Sequence, residues 1–269
     1  MTYYQNKTVW VTGASSGIGE ALIPDLLAAG ANVILSARRD TELQRVFTAN
    51  GGDATRMMIL PMDVARHHEL SEKTKRALAW KGNIDILINN AGVSQRAFAH
   101  DTTLEIEKKL FDINYFGTVE LTRTLLPHMM QRQQGHIVVV SSVLGKMSVP
   151  LRSTYCSSKH ALHGYFDALR AELKQKNITV TLVCPGYIKT EVSVNAFKAD
   201  GSKHATLDSS QAKGMPADVF SRKMLRKVAA RRQEFNIGGP EIYAIYIKRL
   251  LPALIAAIIP RLSPIIRKF

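Results

Sequence analysis

Cysteine is nearly absent from this chain. Its two copies, Cys156 and Cys184, form no Cys-x-x-Cys or other ligand spacing, which excludes a disulfide framework and a zinc ribbon. Unpaired thiols in the core or at a pocket edge, in a reducing compartment, are expected. The histidines form no His-x-x-x-His pair and no sequence cluster with cysteine; His67-His68 and His160/His163 read as helix-surface residues, so no metal is expected. Long apolar runs are lacking too. In the C-terminal part the longest uncharged run, Leu250 to Pro260, has 11 residues, whereas a bilayer-spanning helix needs about 20. Met1 to Asn6 is polar, with no apolar export segment, and a cytoplasmic location is the expectation. There is no internal repeat, low-complexity stretch or interdomain linker.

Acidic residues are also few: 22 Asp+Glu face 36 Lys+Arg, a net charge of +14. Much of that excess lies between Lys213 and Phe269, where twelve basic residues meet three acidic ones, a net +9. There Arg222-Lys223, Arg226-Lys227 and Arg231-Arg232 precede the apolar runs Ile242 to Ile247 and Leu250 to Ile259, which Lys248-Arg249, Pro252, Pro260, Arg261 and Pro264 interrupt. An apolar helix flanked by cations suits peripheral contact with an anionic membrane interface. It also suits packing on its own domain or on a second subunit. A basic surface attracts nucleic acid as well, but no recognised nucleic-acid motif accompanies the charge, and no specific nucleic acid is expected.

What the chain does have is alternation. Strand signals at 7–12, 32–36, 57–60, 84–89, 137–140 and 178–183 are separated by helix signals at 18–29, 40–49 (with Asp40 as cap), 65–80, 104–131 and 155–176. Repeated β-α-β order implies an α/β fold: a Rossmann-like, doubly wound parallel sheet with helices on both faces. One domain over 1–239 is expected, with a cover over the site at 187–215 and an apolar, basic helical extension at 240–269.

Two stretches carry chemistry. The first strand runs into Gly13-Ala14-Ser15-Ser16-Gly17-Ile18-Gly19 and then a helix. Glycines let the backbone turn tightly and let a pyrophosphate approach the free amides at the helix start. The second stretch is Ser142 to Lys159. Tyr155 and Lys159, four residues apart, share one helix face. A tyrosine ordinarily ionises near pH 10, and a nearby lysine cation lowers that value. Ser142 stands at the carboxyl end of a buried strand, where open α/β sheets bind ligands, with Ser141 as a rival for its role. Alone, such a pair suits a solvated helix face; its company changes the reading.

Thr12-Gly-x-x-x-Gly-x-Gly, Asn89-Asn90-Ala91-Gly92, Asn114, Ser142, Tyr155-x-x-x-Lys159, and Pro185-Gly186 with Thr190 together resemble the short-chain dehydrogenase/reductase family from about Lys7 to Gly239. The resemblance implies a carbonyl/alcohol oxidoreductase with catalytic Asn114, Ser142, Tyr155 and Lys159. It implies a nicotinamide dinucleotide held by Gly13, Ser15, Ser16, Gly17, Ile18 and Gly19 at the first turn. Asp63 and Val64 would flank the adenine, and Asn90, Ala91 and Gly92 would lie along the cofactor. Thr190 would bond the nicotinamide carboxamide and Lys159 the nicotinamide ribose, with Tyr155, Pro185, Gly186 and Ile188 also at the cofactor. Ser36-Ala37-Arg38-Arg39 offers arginines where an NAD site usually has a carboxylate, so NADP(H) is expected. An apolar cover and tail suggest a hydrophobic substrate, lipid-, steroid- or retinoid-like. Family members form dimers or tetramers through the helices at 114–131 and 155–176, so a homo-oligomer is expected. The alternative is a catalytically silent NADP-binding regulator, or a membrane-interaction protein, on the same fold.

Overall fold

The computed structural model describes residues 2–262; the part of the expected basic tail at 263–269 lies outside the described residues. Seven parallel strands form the central sheet in the order β3-β2-β1-β4-β5-β6-β9. They are β1 (Thr8–Thr12), β2 (Asn32–Ser36), β3 (Met57–Ile59), β4 (Ile86–Asn89), β5 (Gly135–Val140), β6 (Ile178–Pro185) and β9 (Glu234–Ile237). Helices α1 (Gly17–Ala28), α2 (Asp40–Ala49), α3 (Leu70–Lys81), α4 (Leu104–Phe111), α5 (Gly117–Arg132), α6 (Ser153–Glu172) and α8 (Ala217–Ala229) pack around it. The segment between β6 and α8, where a cover is expected, holds a two-stranded pair, β7 (Ile188–Lys189) and β8 (Met215–Pro216), with the short α7 (Ser209–Ala212).

Strand periodicity explains the two cores. In β1, Val9 and Val11 join the cluster beneath α1 and α8, while Trp10 joins the opposite one. In β2, Val33 and Leu35 go one way and Ile34 the other. All these side chains are fully buried, and each contributes about 1.5–3 kcal/mol by leaving water.

The expected helix at 104–131 is interrupted by a π-helical turn at Asp112–Phe116. There Asn114 turns its amide to the backbone of Val93, and wide turns of this kind often mark functional segments. Asp40 does not cap α2: Arg39 occupies the cap position and Asp40 is the first helical residue. The edge strand β9 and α8 complete a sheet of which the sequence showed six strands. Four residues with a polar alternation, Glu-Phe-Asn-Ile, are too short to show a period.

The extension forms two helices, α9 (Tyr243–Leu250) and α10 (Pro252–Leu262), parted at Leu251-Pro252 where proline ends the first. Ile245 and Ile259 join Val143, Leu144, Met147, Tyr155 and Cys156 in a third apolar cluster. The extension therefore packs beside the candidate catalytic residues. No helix among the described residues is long and apolar enough to cross a membrane.

Candidate active site

Residues at or just beyond the carboxyl ends of β1, β2, β4, β5 and β6 open into one cavity of about 1360 Å³. It lies where the strand order reverses between β1 and β4, the crevice in which such sheets bind ligands. At one end is the glycine turn. Gly13 and Gly17 adopt left-handed φ of +68° and +58°, which glycine reaches without a Cβ penalty. A Cβ on Gly19 would lie 2.2 Å from the Gly13 carbonyl oxygen, so this residue has to be bare for helix and turn to meet. Thr12 ties the turn to the next loop: its hydroxyl accepts from the amides of Asn90 and Ala91, each at 3.0 Å. Asn90 Nδ2 returns a bond to the Thr12 carbonyl.

The Ser16 side chain does not cap α1. Ser15, Ser16, Gly17 and Ile18 all line the cavity, so the start of the helix dipole faces it, an arrangement suited to phosphate. Arg38 and Arg39 are exposed at the cavity rim. It is Arg39, not Arg38, that reaches Ser15, with Nη2 at 3.5 Å from Oγ. Asp63, Val64, Asn90, Ala91, Gly92, Pro185, Gly186, Ile188 and Thr190 also line the wall. These residues fit a dinucleotide: a bare glycine turn, helix amides, and cations past β2.

At the other end stand Ser142, Tyr155 and Lys159, all on the wall. Ser142 caps a short turn, its Oγ accepting from Leu144 N at 3.1 Å. Tyr155 sits in the first turn of α6, where Gln95 Oε1 accepts from the backbone N–H groups of Thr154 (2.9 Å) and Tyr155 (3.3 Å). Gln95 is fully buried and absent from the sequence motifs, because a glutamine sixty residues from its partner leaves no local signal. Lys159 is 4% exposed and donates from Nζ to the Val140 carbonyl at 2.9 Å. Burial pushes its ammonium down to about 8. Burial raises the Tyr155 phenol above its ordinary range; the Ser142 hydroxyl, then Arg152 and Arg96, pull it back. The expected tuning by Lys159 is thus not the main opposing influence, for Nζ lies 6.0 Å from the tyrosine ring centroid.

Two expected site residues stand behind the wall rather than on it. Gly19 is one, with its packing role. Asn114 is the other: its Oδ1 accepts from Val93 N at 2.8 Å, and its Nδ2 donates to Val93 O and Ser158 Oγ, both at 3.0 Å. A Cβ on Gly92 would meet both Asn114 Oδ1 (3.2 Å) and Lys159 Nζ (3.5 Å), which puts the amide near the lysine.

His163 departs from the surface reading. It is partly buried, with Nε2 at 3.0 Å from Ser141 Oγ and 3.7 Å from Cys184 Sγ, and Nδ1 at 3.1 Å from Glu234. Histidine and cysteine, 21 residues apart, do cluster in space. The group is already balanced. Lys146 also bonds Glu234, the His163 hydrogen bond and Lys146 hold that carboxylate down to about 2, and burial pushes the Cys184 thiol up to about 12.

The segment expected as a cover adds a charged feature to a wall expected to be apolar. Asp208 accepts from Arg96 and Arg152 beside Tyr155, and its backbone N–H donates to Ser193 Oγ at 3.1 Å.

The family model for short chain dehydrogenase matches residues 7–201. Dehydrogenase/reductase SDR family protein 7-like of Drosophila melanogaster is 41% identical over 253 residues, covering 92% of this chain and 78% of its own. A short chain dehydrogenase of Burkholderia cenocepacia in complex with NADP superposes with a TM-score of 0.79 at 25% identity, covering 98% of this chain and 100% of its own. A short chain dehydrogenase/reductase of Burkholderia phymatum in complex with NAD superposes with a TM-score of 0.83 at 23% identity, covering 94% and 96%, and shares the fold. Sheet, crevice and glycine turn thus define a Rossmann-like fold of the dinucleotide-binding class. Within that class the chain belongs to the short-chain dehydrogenase/reductase family.

Proposed function

We propose that the protein is an NADP(H)-dependent oxidoreductase interconverting a carbonyl and a secondary alcohol on a largely apolar substrate. The observation that carries this reading is that Ser142, Tyr155 and Lys159 share one cavity with the glycine turn and with Arg38 and Arg39. The dinucleotide, when bound, supplies or accepts hydride. Ser142 and Tyr155 hydroxyls hold the substrate oxygen, and in reduction Tyr155 gives its proton to the oxygen as negative charge develops there. Oxidation returns that proton to Tyr155. Lys159 holds positive charge behind the tyrosine. Asn114, with one amide-oxygen lone pair uncommitted among the described bonds, steadies a proton path toward it.

Arg39 beside Ser15, with Arg38 at the rim, suits a 2′-phosphate better than a bare ribose hydroxyl. NADPH is expected to bind about tenfold or more tightly than NADH. Equal affinities in a fluorescence titration would remove the NADP assignment. Tyr155→Phe is expected to abolish turnover with NADPH affinity nearly intact; an active variant would reject the chemistry.

Tyr243, Leu250, Leu251 and Leu254 are exposed along the extension. With Lys248 and Arg249 they support peripheral contact with an anionic membrane, in a protein otherwise of the cytoplasm. Phe116, 48% exposed beside α5, supports homo-oligomer formation through the helices at 114–131 and 155–176; sedimentation showing a monomer would remove it.

A further inference from the structure

The cavity wall beside Tyr155 carries more positive charge than it neutralises. Arg96 and Arg152 both pair with one carboxylate, Asp208, which is the only ion-pair partner of either among the described residues. His204 Nε2 lies 3.5 Å from the same carboxylate. Arg96 is nearly saturated, with four of its five N–H groups engaged: Nε and Nη2 go to Asp208, and Nη1 to Ser94 Oγ and the Gln95 carbonyl. Arg152 is not. Its Nη2 reaches Asp208 at 3.0 Å, and no hydrogen bond from its Nε or Nη1 is formed among the described residues. Yet its side chain is only 16% exposed. Burial, reinforced by the Arg96 charge, pushes its guanidinium below the ordinary arginine range.

The surroundings raise the cost of that surplus. Phe98, Ile113, Met147, Val149, Leu151 and Phe197 line the same cavity. Charge held against such walls is poorly solvated and gains much from a bidentate anion. Of the other carboxylates on the wall, Glu241 is engaged by the amides of Tyr187 and Gly239, and none of Asp63, Asp101 and Glu191 pairs with Arg96 or Arg152 among the described residues. Arg152 is placed for substrate because it directly precedes α6 (Ser153–Glu172), three residues before Tyr155.

We propose that Arg152, backed by Arg96, is a carboxylate-recognition subsite, and that the preferred substrates are apolar oxo acids or the corresponding hydroxy acids. The substrate carboxylate takes a free N–H of Arg152, at Nε or Nη1, together with the second N–H of Nη2. Asp208 keeps its single bond to Nη2 and latches the cover, so the cover and the substrate acid share one pair of guanidinium groups. The substrate class rests on the carbonyl/alcohol reading above, whereas the subsite itself does not.

The test uses medium-chain oxoalkanoic acids, with the carbonyl at successive positions, each against its methyl ester, in NADPH turnover. Calorimetry of a medium-chain alkanoate against its methyl ester on the NADPH-loaded protein reads the subsite without chemistry. The acid is expected to exceed its ester about tenfold or more in kcat/KM, the range of a charge-assisted pair. Arg152→Gln should bring that ratio toward one and abolish the binding preference; Arg152→Lys should restore part of it. Unchanged NADPH affinity shows that the variants are folded. Asp208→Asn, which frees guanidinium capacity, should lower KM for the acids more than for the esters. Equal use of acid and ester, with no Arg152-dependent alkanoate binding, would overturn the subsite while leaving the oxidoreductase reading standing. Arg152-dependent binding with no turnover of any oxo compound would do the reverse. Absence of both would overturn the subsite as well.

Discussion

Lys159→Met should make the protein more stable at neutral pH while abolishing turnover. Lys159 is 4% exposed and has one described hydrogen bond, to Val140. Burial takes its pKa from 10.5 to about 8. At about 1.4 kcal/mol per unit, the buried charge costs the fold roughly 3 kcal/mol. Because the folded value is the lower one, the folded chain binds fewer protons than the unfolded chain between about pH 8 and the ordinary lysine range. Stability therefore climbs with pH through that window, and the full cost is present below it. Methionine keeps an unbranched side chain, removes the charge, and forfeits the hydrogen bond to Val140, worth about 1 kcal/mol. The net gain at pH 7 is about 1–2 kcal/mol, or a rise in Tm of about 3–6 °C for a chain of this size. Thermal unfolding at pH 7 and again at about pH 9.5 tests this, the gain shrinking at the higher pH as the wild-type lysine sheds its proton. A less stable variant at pH 7, or a gain independent of pH, would refute the reasoning.

Two glycines make a matched pair. Gly19→Ala puts a Cβ 2.2 Å from a backbone oxygen and should cost about 1–3 kcal/mol and weaken NADPH binding; Gly164→Ala in α6 meets nothing within 4 Å and should stabilise by about 0.5–1 kcal/mol. Thermal melts that rank the two the other way would contradict the packing at the turn. His136 is buried between Tyr3 and Thr181, and burial pushes it down to about 3. Stability should fall as pH drops from about 6.5 toward that value, because only the unfolded chain takes up the proton. His136→Gln should flatten the slope of Tm against pH over this range, and an unchanged slope would clear His136 of the effect. Phosphatidylserine vesicles should sediment the full chain in a salt-sensitive way, and Leu250→Glu with Leu251→Glu should release it; wild-type protein left in the supernatant would end the membrane reading.

The sequence by itself determined what depends on short-range order. Strands such as Ile137 to Val140 and helices such as Asp40 to Ala49 show their period locally, and Gly13 to Gly19 shows a turn that only bare residues can make. The repeated β-α order was enough for a parallel sheet, since crossover chirality leaves few alternatives. Tertiary structure decided whatever rests on partners far apart in the chain. Gln95 holds the start of α6 from sixty residues away, and Asn114 spends its amide on Val93 through a break in a helix that reads as continuous. His163, on a helix face that looked solvated, turned out to be enclosed by Cys184 and Glu234. Arg96, Arg152 and Asp208 come from three separate segments and carry no motif. Only the packing of the segment between β6 and α8 against the head of α6 brings two cations and one acid together beside the tyrosine. Side-chain charge is written in the sequence, but its neutralisation is a matter of distance, and distance belongs to the fold.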